Sequence, residues 1–188
     1  MSKHMGKIYV ISAPSGTGKS TVIAEVLRQN GNSKFSVSAT TRAPRPGEKD
    51  GTEYVFVSRE TFLDMIEKDQ FLEYAEYAGN FYGTPIEPIR AWNAQWYDVI
   101  LDIEVKGFKQ VKEKVPEAIA VFLIPPSMEE LERRLRSRGT DSEETIQKRL
   151  KIAAEELKLS EDYDYVVLND KVDLAAEKII HIIESERE

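Results

Sequence analysis

Apolar and polar positions follow one another in two rhythms along this chain, and their order outlines an α/β protein. Lys7–Ser12 (KIYVIS) is a short β-rich apolar run that breaks into a Gly/Ser loop. Ser20–Gln29 then carries Val22, Ile23, Val26 and Leu27 at helical spacing, on one face. Strand, loop and helix in that order open an α/β domain. Phe35–Ser38 alternates like a strand, Glu53–Val57 reads as another, and Arg59–Lys68 as a helix. Phe71–Ala78 and Asn80–Gly83 are aromatic-rich with strand character, and Pro85–Trp96 is helical around Pro88–Asn93. The apolar runs in Tyr97–Ile103 (YDVILDI) and Ala118–Ile124 (AIAVFLI) lack alternation, the pattern of parallel strands buried on both faces. Phe108–Lys114 continues between them as helix.

After Pro125 and Pro126, Ser127 with Glu130 three residues on makes a capping box ahead of Leu131 and Leu135. Gly139–Asp141 breaks this basic helix, Ser142–Leu159 is a charged helix, Tyr165–Leu168 a last strand and Leu174–Ile183 a closing helix. Residues 35–84 therefore read as a compact β-rich insertion in an α/β core.

At 188 residues the chain can bury one good core with small lobes. A formal net charge of −7 argues against a general nucleic-acid binder. With no cysteine, disulfides, thiolate catalysis and zinc–thiolate sites are excluded. His4 and His181 lie near opposite ends, which argues against a histidine metal site or triad. No apolar run approaches the ~18 residues of a membrane span, and Met1–Lys7 holds no apolar region of signal-peptide length. The expected setting is the cytoplasm, with small-molecule partners, no nucleic acid and no membrane, as a monomer or small homo-oligomer.

The candidate chemistry begins at Ala13-Pro-Ser-Gly-Thr-Gly-Lys-Ser20, which follows a strand and opens a helix, as a Walker A phosphate loop does. Gly16 and Gly18 let backbone N–H groups turn inward around phosphate oxygens. The helix starting near Lys19 adds its positive dipole end. Lys19 supplies charge to the β- and γ-phosphates, and the Ser20 hydroxyl can ligate magnesium. The first position of the motif is Ala13 in place of glycine, which requires that residue 13 not adopt a positive φ. Thr40–Gly51 (TTRAPRPGEKDG) is an exposed, positively charged loop.

Further segments are shared in order with one family. Ser38–Glu48 (SATTRAPRPGE), Gly51–Tyr54, Phe71–Glu73, Gly79–Thr84, Leu101–Glu104, Pro125–Ser127, Arg138–Asp141 and Lys148–Leu150 together resemble the guanylate kinases over nearly the whole chain. That resemblance implies a P-loop NTPase three-layer fold with a central parallel sheet. Residues 1–34, 85–127 and 151–188 would form the ATP-binding core, 35–84 a GMP-binding region and 128–150 a helical lid.

By the same resemblance, Ala13, Pro14, Ser15, Gly16, Thr17, Gly18, Lys19, Ser20 and Thr21 hold ATP, with Asn169 at its adenine. Arg42 and Arg45 clamp the GMP phosphate, because guanidinium forks match phosphate oxygens in pairs. Tyr54 and Tyr82 add hydroxyl donors. Glu73 accepts from guanine N1–H and the 2-amino group, while Ser38 and Thr84 face O6, beside Gly83. Asp102 and Glu104 complete the GMP side, both pointing the same way if their strand persists. The family usually carries aspartate at 104 and glutamine at 106, where this chain has Glu104 and Lys106. Ser20 and Asp102 hold the magnesium ion, Asp102 directly or through water. Lys19, Arg42, Asp102 and the lid arginines Arg134, Arg138 and Arg149 are the implied catalytic set.

The reaction implied is in-line attack of a GMP phosphate oxygen on the γ-phosphorus of ATP. A phosphate monoester is already largely dianionic at neutral pH (second pKa about 6), so no general base is required. Three other readings compete, of which a plain structural α/β domain would not need such a glycine–lysine loop. A ribose bisphosphokinase would share the loop without needing Arg42, Arg45, Tyr54, Glu73 and Tyr82 together. A non-catalytic phosphopeptide module would be expected to degrade the ATP loop.

Overall fold

The computed structural model describes residues 6–137, 139 and 141–187. Its centre is a five-stranded parallel sheet in the order β2-β7-β1-β8-β9, formed by β1 (Ile8–Ser12), β2 (Ser33–Phe35), β7 (Asp98–Asp102), β8 (Ile119–Ile124) and β9 (Tyr165–Leu168). Parallel strands need crossovers, and helices supply them. On one face, α1 (Lys19–Gln29) and α7 (Val172–Ser185) cover Tyr9, Ile11, Ile100, Val121 and Leu123. On the other, α3 (Ile86–Ala94), α4 (Val105–Lys114) and Tyr163 cover Val10, Val99, Leu101, Ala120 and Phe122. Alternate residues of β1, β7 and β8 thus enter opposite cores, the reason these central strands carry no polar face.

A second sheet, β4-β3-β6-β5, stands apart from the first. It comprises β3 (Ala39–Thr40), β4 (Val55–Phe56), β5 (Phe71–Tyr77) and β6 (Asn80–Pro85), with α2 (Arg59–Glu67) packed on it. Its own core is Ala39, Phe62 and Phe71, the two rings stacked 4.3 Å apart. The remaining helices are α5 (Met128–Ser137) and α6 (Glu143–Leu157), joined through Leu131, Leu135, Ile146 and Ala153. A short 3₁₀ segment, Lys158–Asp162, leads to β9.

Two expectations about strands need correcting. The strand expected at Phe35–Ser38 is Ser33–Phe35, because pairing with β7 (Ser33 to Asp98, Phe35 to Ile100) ends there and the chain crosses to the small sheet at Ala39. The strand expected over Glu53–Val57 shrinks to Val55–Phe56, since β3 offers only two residues to pair with.

Gly83, which the resemblance groups with the GMP site, has a packing reason for its identity. A Cβ there would lie 2.9 Å from Phe71 and 3.0 Å from Phe62, both buried rings. Overpacking of this kind costs roughly 1–3 kcal/mol. Gly83→Ala is therefore expected to lower the thermal midpoint by about 2–12 °C, at 2–4 °C per kcal/mol for a chain of this size. An unchanged melting curve would contradict the packing account.

Candidate active site

The parallel sheet brings the site together at the carboxyl ends of its strands, where open α/β sheets bind ligands. The phosphate loop leaves central β1, Asp102 ends neighbouring β7, α5 follows β8 on the other side, and Asn169 follows β9. Register places Asp102 directly beside Ile11 of β1.

Gly16 and Gly18 hold φ of 92° and 97°, the left-handed region that glycine alone adopts without strain. Among the described residues, positive φ outside glycine occurs only at Asp69, Ala78 and Trp96, so Ala13 meets the condition set for it. The Thr17 N–H donates to the Pro14 carbonyl at 3.1 Å and closes the turn. No side chain caps the start of α1 and no acidic residue lies in its first turn, so its N–H groups and dipole are left for an anion. Ala13, Pro14 and Thr17 are buried, while Ser15, Ser20 and Thr21 are exposed. Lys19 Nζ lies 2.6 Å from Asp102 Oδ1 and donates to the Ile103 carbonyl at 3.0 Å.

A second cationic station forms on the small sheet. The Arg42 guanidinium lies over Tyr54 and Phe56, 5.4 and 5.7 Å from their ring centroids. Tyr54 meets Tyr82 edge-on at 5.9 Å. Arg42 pairs with Glu48 at 2.9 Å, and the same carboxylate accepts the Arg45 backbone N–H at 2.7 Å. These two bonds hold the Glu48 carboxyl below the usual carboxylate range. Glu48 thus ties both halves of the arginine loop together. Sequence reasoning gave it no role, although its place three residues after Arg45 is a turn-closing spacing. The Arg45 side chain is exposed.

Glu73, on β5, is held from β6: the Thr84 hydroxyl donates to its Oε1 at 2.6 Å. Burial pushes its pKa up, the Thr84 bond pulls it back, Glu104 pushes it further and Lys19 opposes that. Thr84 was expected to face a base oxygen; in the structure its one proton goes to Glu73. Ser38 is half-buried between β2 and β3. Glu104 also departs from expectation. The strand stops at Asp102, and Glu104 occupies the cap position of α4, so the two do not share a strand face. Glu156 of α6, absent from the sequence reading, feels the charge of Glu104. Burial and then Glu104 raise its pKa, opposed by Lys19 and Lys106. Lys106, one of the departures from the family pattern, therefore offsets part of the rise at Glu156.

Of the arginines expected on a lid, Arg134 reaches the phosphate loop: its Nη1 donates to the carbonyls of Thr17 and Asn169, each at 3.1 Å. The helix carrying it rests on the loop, since a Cβ on Gly16 would come within 2.7 Å of Leu135. Arg149 instead pairs with Asp141 at 3.1 Å. Arg138 lies outside the described residues. The capping box at Ser127 is half-formed: its hydroxyl accepts the Glu130 N–H at 3.1 Å, but the Glu130 carboxylate turns to Arg133 and Arg134. Asn169 is buried, and its Nδ2 donates to the Thr17 carbonyl at 2.7 Å, so it buttresses the loop. Charge from the loop station reaches the other: beyond burial and Tyr82, Asp102 adds to the rise of the Tyr54 pKa, and Lys19 offsets part of the rise that burial gives Glu73.

Comparison with known proteins gives one consistent picture. The guanylate kinase family model matches residues 5–186. A guanylate kinase of Desulfitobacterium hafniense is 51% identical over 187 residues, covering 100% of this chain and 94% of that protein. One from Lactococcus lactis is 52% identical over 184 residues, covering 98% and 90%. The crystal structure of guanylate kinase from Anaplasma phagocytophilum superimposes with a TM-score of 0.79 at 38% identity, covering 100% of this chain and 89% of that one. Likeness that runs from one end to the other, in sequence and in backbone alike, is that of a whole protein and not of a shared phosphate loop: this chain belongs to the guanylate kinase family.

Proposed function

We propose that this chain transfers the γ-phosphate of ATP to GMP or dGMP, giving ADP and GDP or dGDP. The observation that carries this reading is a pair of anion stations, one the uncapped glycine loop with Lys19 on Asp102 and the other Arg42 over Tyr54 beside Tyr82, with Glu73 fixed by Thr84 on the same small sheet. ATP takes the loop Ala13–Thr21, its adenine near Asn169. GMP takes Arg42, Arg45, Tyr54 and Tyr82 at its phosphate and Glu73 at its base, with Ser38, Gly83, Thr84, Asp102 and Glu104 around it. Residues 1–34, 85–127 and 151–188 act as the ATP-binding core, 35–84 as the GMP-binding region and 128–150 as a lid carrying Arg134, Arg138 and Arg149.

Catalysis is positioning and electrostatics. Lys19 leaves Asp102 for the triphosphate, and Arg42 leaves Glu48 for the GMP phosphate, so each cation trades an internal carboxylate for a substrate oxygen. The acceptor oxygen already carries charge, and no proton need be removed. The lid excludes water, which would otherwise compete as acceptor.

Ser20 and Asp102 suit magnesium. They would offer hard oxygens beside the loop, Asp102 ending the strand next to β1, to an ion that takes the rest of its shell from water and phosphate. When bound, it neutralises charge on the β- and γ-phosphates. No helix among the described residues is long and apolar enough to cross a membrane, and the cytoplasm is the setting we propose.

The test is ADP release with GMP, AMP, CMP or UMP as acceptor. GMP is expected to exceed AMP by about 10⁴ in kcat/KM, because adenine leaves the Glu73 carboxylate unpaired. Comparable turnover of AMP would refute the assignment.

A further inference from the structure

Gly107 is the third residue of α4, buried, with no positive φ. Inside a helix glycine is about 1 kcal/mol worse than alanine, and the backbone here does not require it. What requires it is space: a Cβ on Gly107 would stand 2.8 Å from Glu73 Oε2, 3.3 Å from Glu73 Cδ and 3.0 Å from Ile103. The same face of α4 fixes the strand that carries Glu73. One turn on, Gln110 accepts the Tyr74 N–H at 3.2 Å and donates to the Tyr74 carbonyl at 3.1 Å. A further turn on, Lys114 donates to the Phe71 carbonyl at 2.7 Å. Positions 107, 110 and 114 lie on one helical face. β5 is thus bonded to α4 on both sides of Glu73 and cannot move off to accommodate a methyl group.

We infer that Gly107 is a positioning residue for acceptor specificity: the α4 face forms a mould in which Gln110 and Lys114 set the strand and the missing Cβ sets the carboxylate. Thr84 fixes Oε1 from one side and the vacancy at Gly107 receives Oε2 on the other. This rests on Glu73 being the reader of guanine. A methyl at 107 meets the end of a flexible side chain, so the fold yields there at small cost while the carboxylate is displaced. Stability and specificity should therefore part company, which a purely structural glycine would not cause.

Gly107→Ala is expected to keep its thermal midpoint or raise it, leave KM for ATP within twofold, and raise KM for GMP roughly tenfold. A displacement well under 1 Å can cost that much where a 1 Å error costs ~10²-fold. In a Glu73→Gln background the same substitution should add less than twofold, since the two act through one contact. The inference is overturned if Gly107→Ala leaves KM for GMP unchanged, if it raises both KM values together with a fall in midpoint, if it fails to fold, or if its effect simply adds to that of Glu73→Gln. Failure of the underlying reading is separate: Glu73→Gln alone would then leave the preference for GMP over AMP intact.

Discussion

Lys19→Met removes two to three orders of magnitude from kcat, with the protein still folded. The ammonium is the one cation the phosphate loop itself carries, and preorganised charge aimed at a reacting phosphoryl group is worth about 10²–10³ per group. Methionine preserves the length and apolar stem of the side chain. In the ligand-free enzyme it costs the 2.6 Å pair with Asp102 and the bond to the Ile103 carbonyl. Asp102 is partly open to solvent, so the loss falls on catalysis more than on folding. Steady-state kinetics at saturating ATP and GMP, with a melting curve, decide the matter. A kcat within tenfold of the parent would remove Lys19 from the catalytic set.

The second large effect is on choice of acceptor. Glu73→Gln keeps shape and the bond from Thr84 but sets an amide N–H₂ against a guanine donor. The preference for GMP over AMP is expected to fall from ~10⁴ to within about tenfold. Protonation should imitate the mutation. Burial raises the Glu73 pKa, so the parent loses GMP affinity on acidification at a higher pH than an exposed glutamate would allow. The sign for stability is opposite. A carboxyl whose folded pKa is raised contributes its full stability below the unfolded pKa and loses it as pH rises through the folded value. Glu73→Gln should accordingly melt higher than the parent at neutral pH when ligand-free, and the difference should close in acid. Equal midpoints at neutral pH would mean the carboxylate is not strained by its burial.

The arrangement trades stability for readiness. Burial and then Glu104 push up the pKa of both Glu73 and Glu156, opposed by the Thr84 bond and Lys19 at Glu73 and by Lys19 and Lys106 at Glu156. Such conflicts between local chemistry and a comfortable fold are expected where a ligand completes the set.

The order of elements and the phosphate loop were legible because both are local. A buried apolar run such as Val99–Leu101, a helical stripe such as Val22, Ile23 and Val26, and glycines ahead of a lysine declare themselves within a few residues. Strand limits were not, since Ser33–Phe35 and Val55–Phe56 end where their partners end. Glu48 and Glu156 escaped notice because a carboxylate in a charged stretch looks solvated until a neighbour from elsewhere is placed beside it. The ligand-free partners of Thr84 and Asn169 were illegible for the same reason: each hydrogen-bonds to a residue, Glu73 or Thr17, whose distance in space the chain does not state.

What the sequence determined unaided is a repertoire: a cradle for phosphate, a set of guanidiniums, a carboxylate suited to a purine edge, and the strands and helices that carry them. What only the tertiary structure decided is who holds whom. Lys19 rests on Asp102 because β1 and β7 are neighbours in register, and Glu73 fits because α4 presents no Cβ at Gly107. Propensity and periodicity act over one or two turns of chain, whereas the charge and contact that tune a site act across a few ångströms of space, and folding alone turns one into the other.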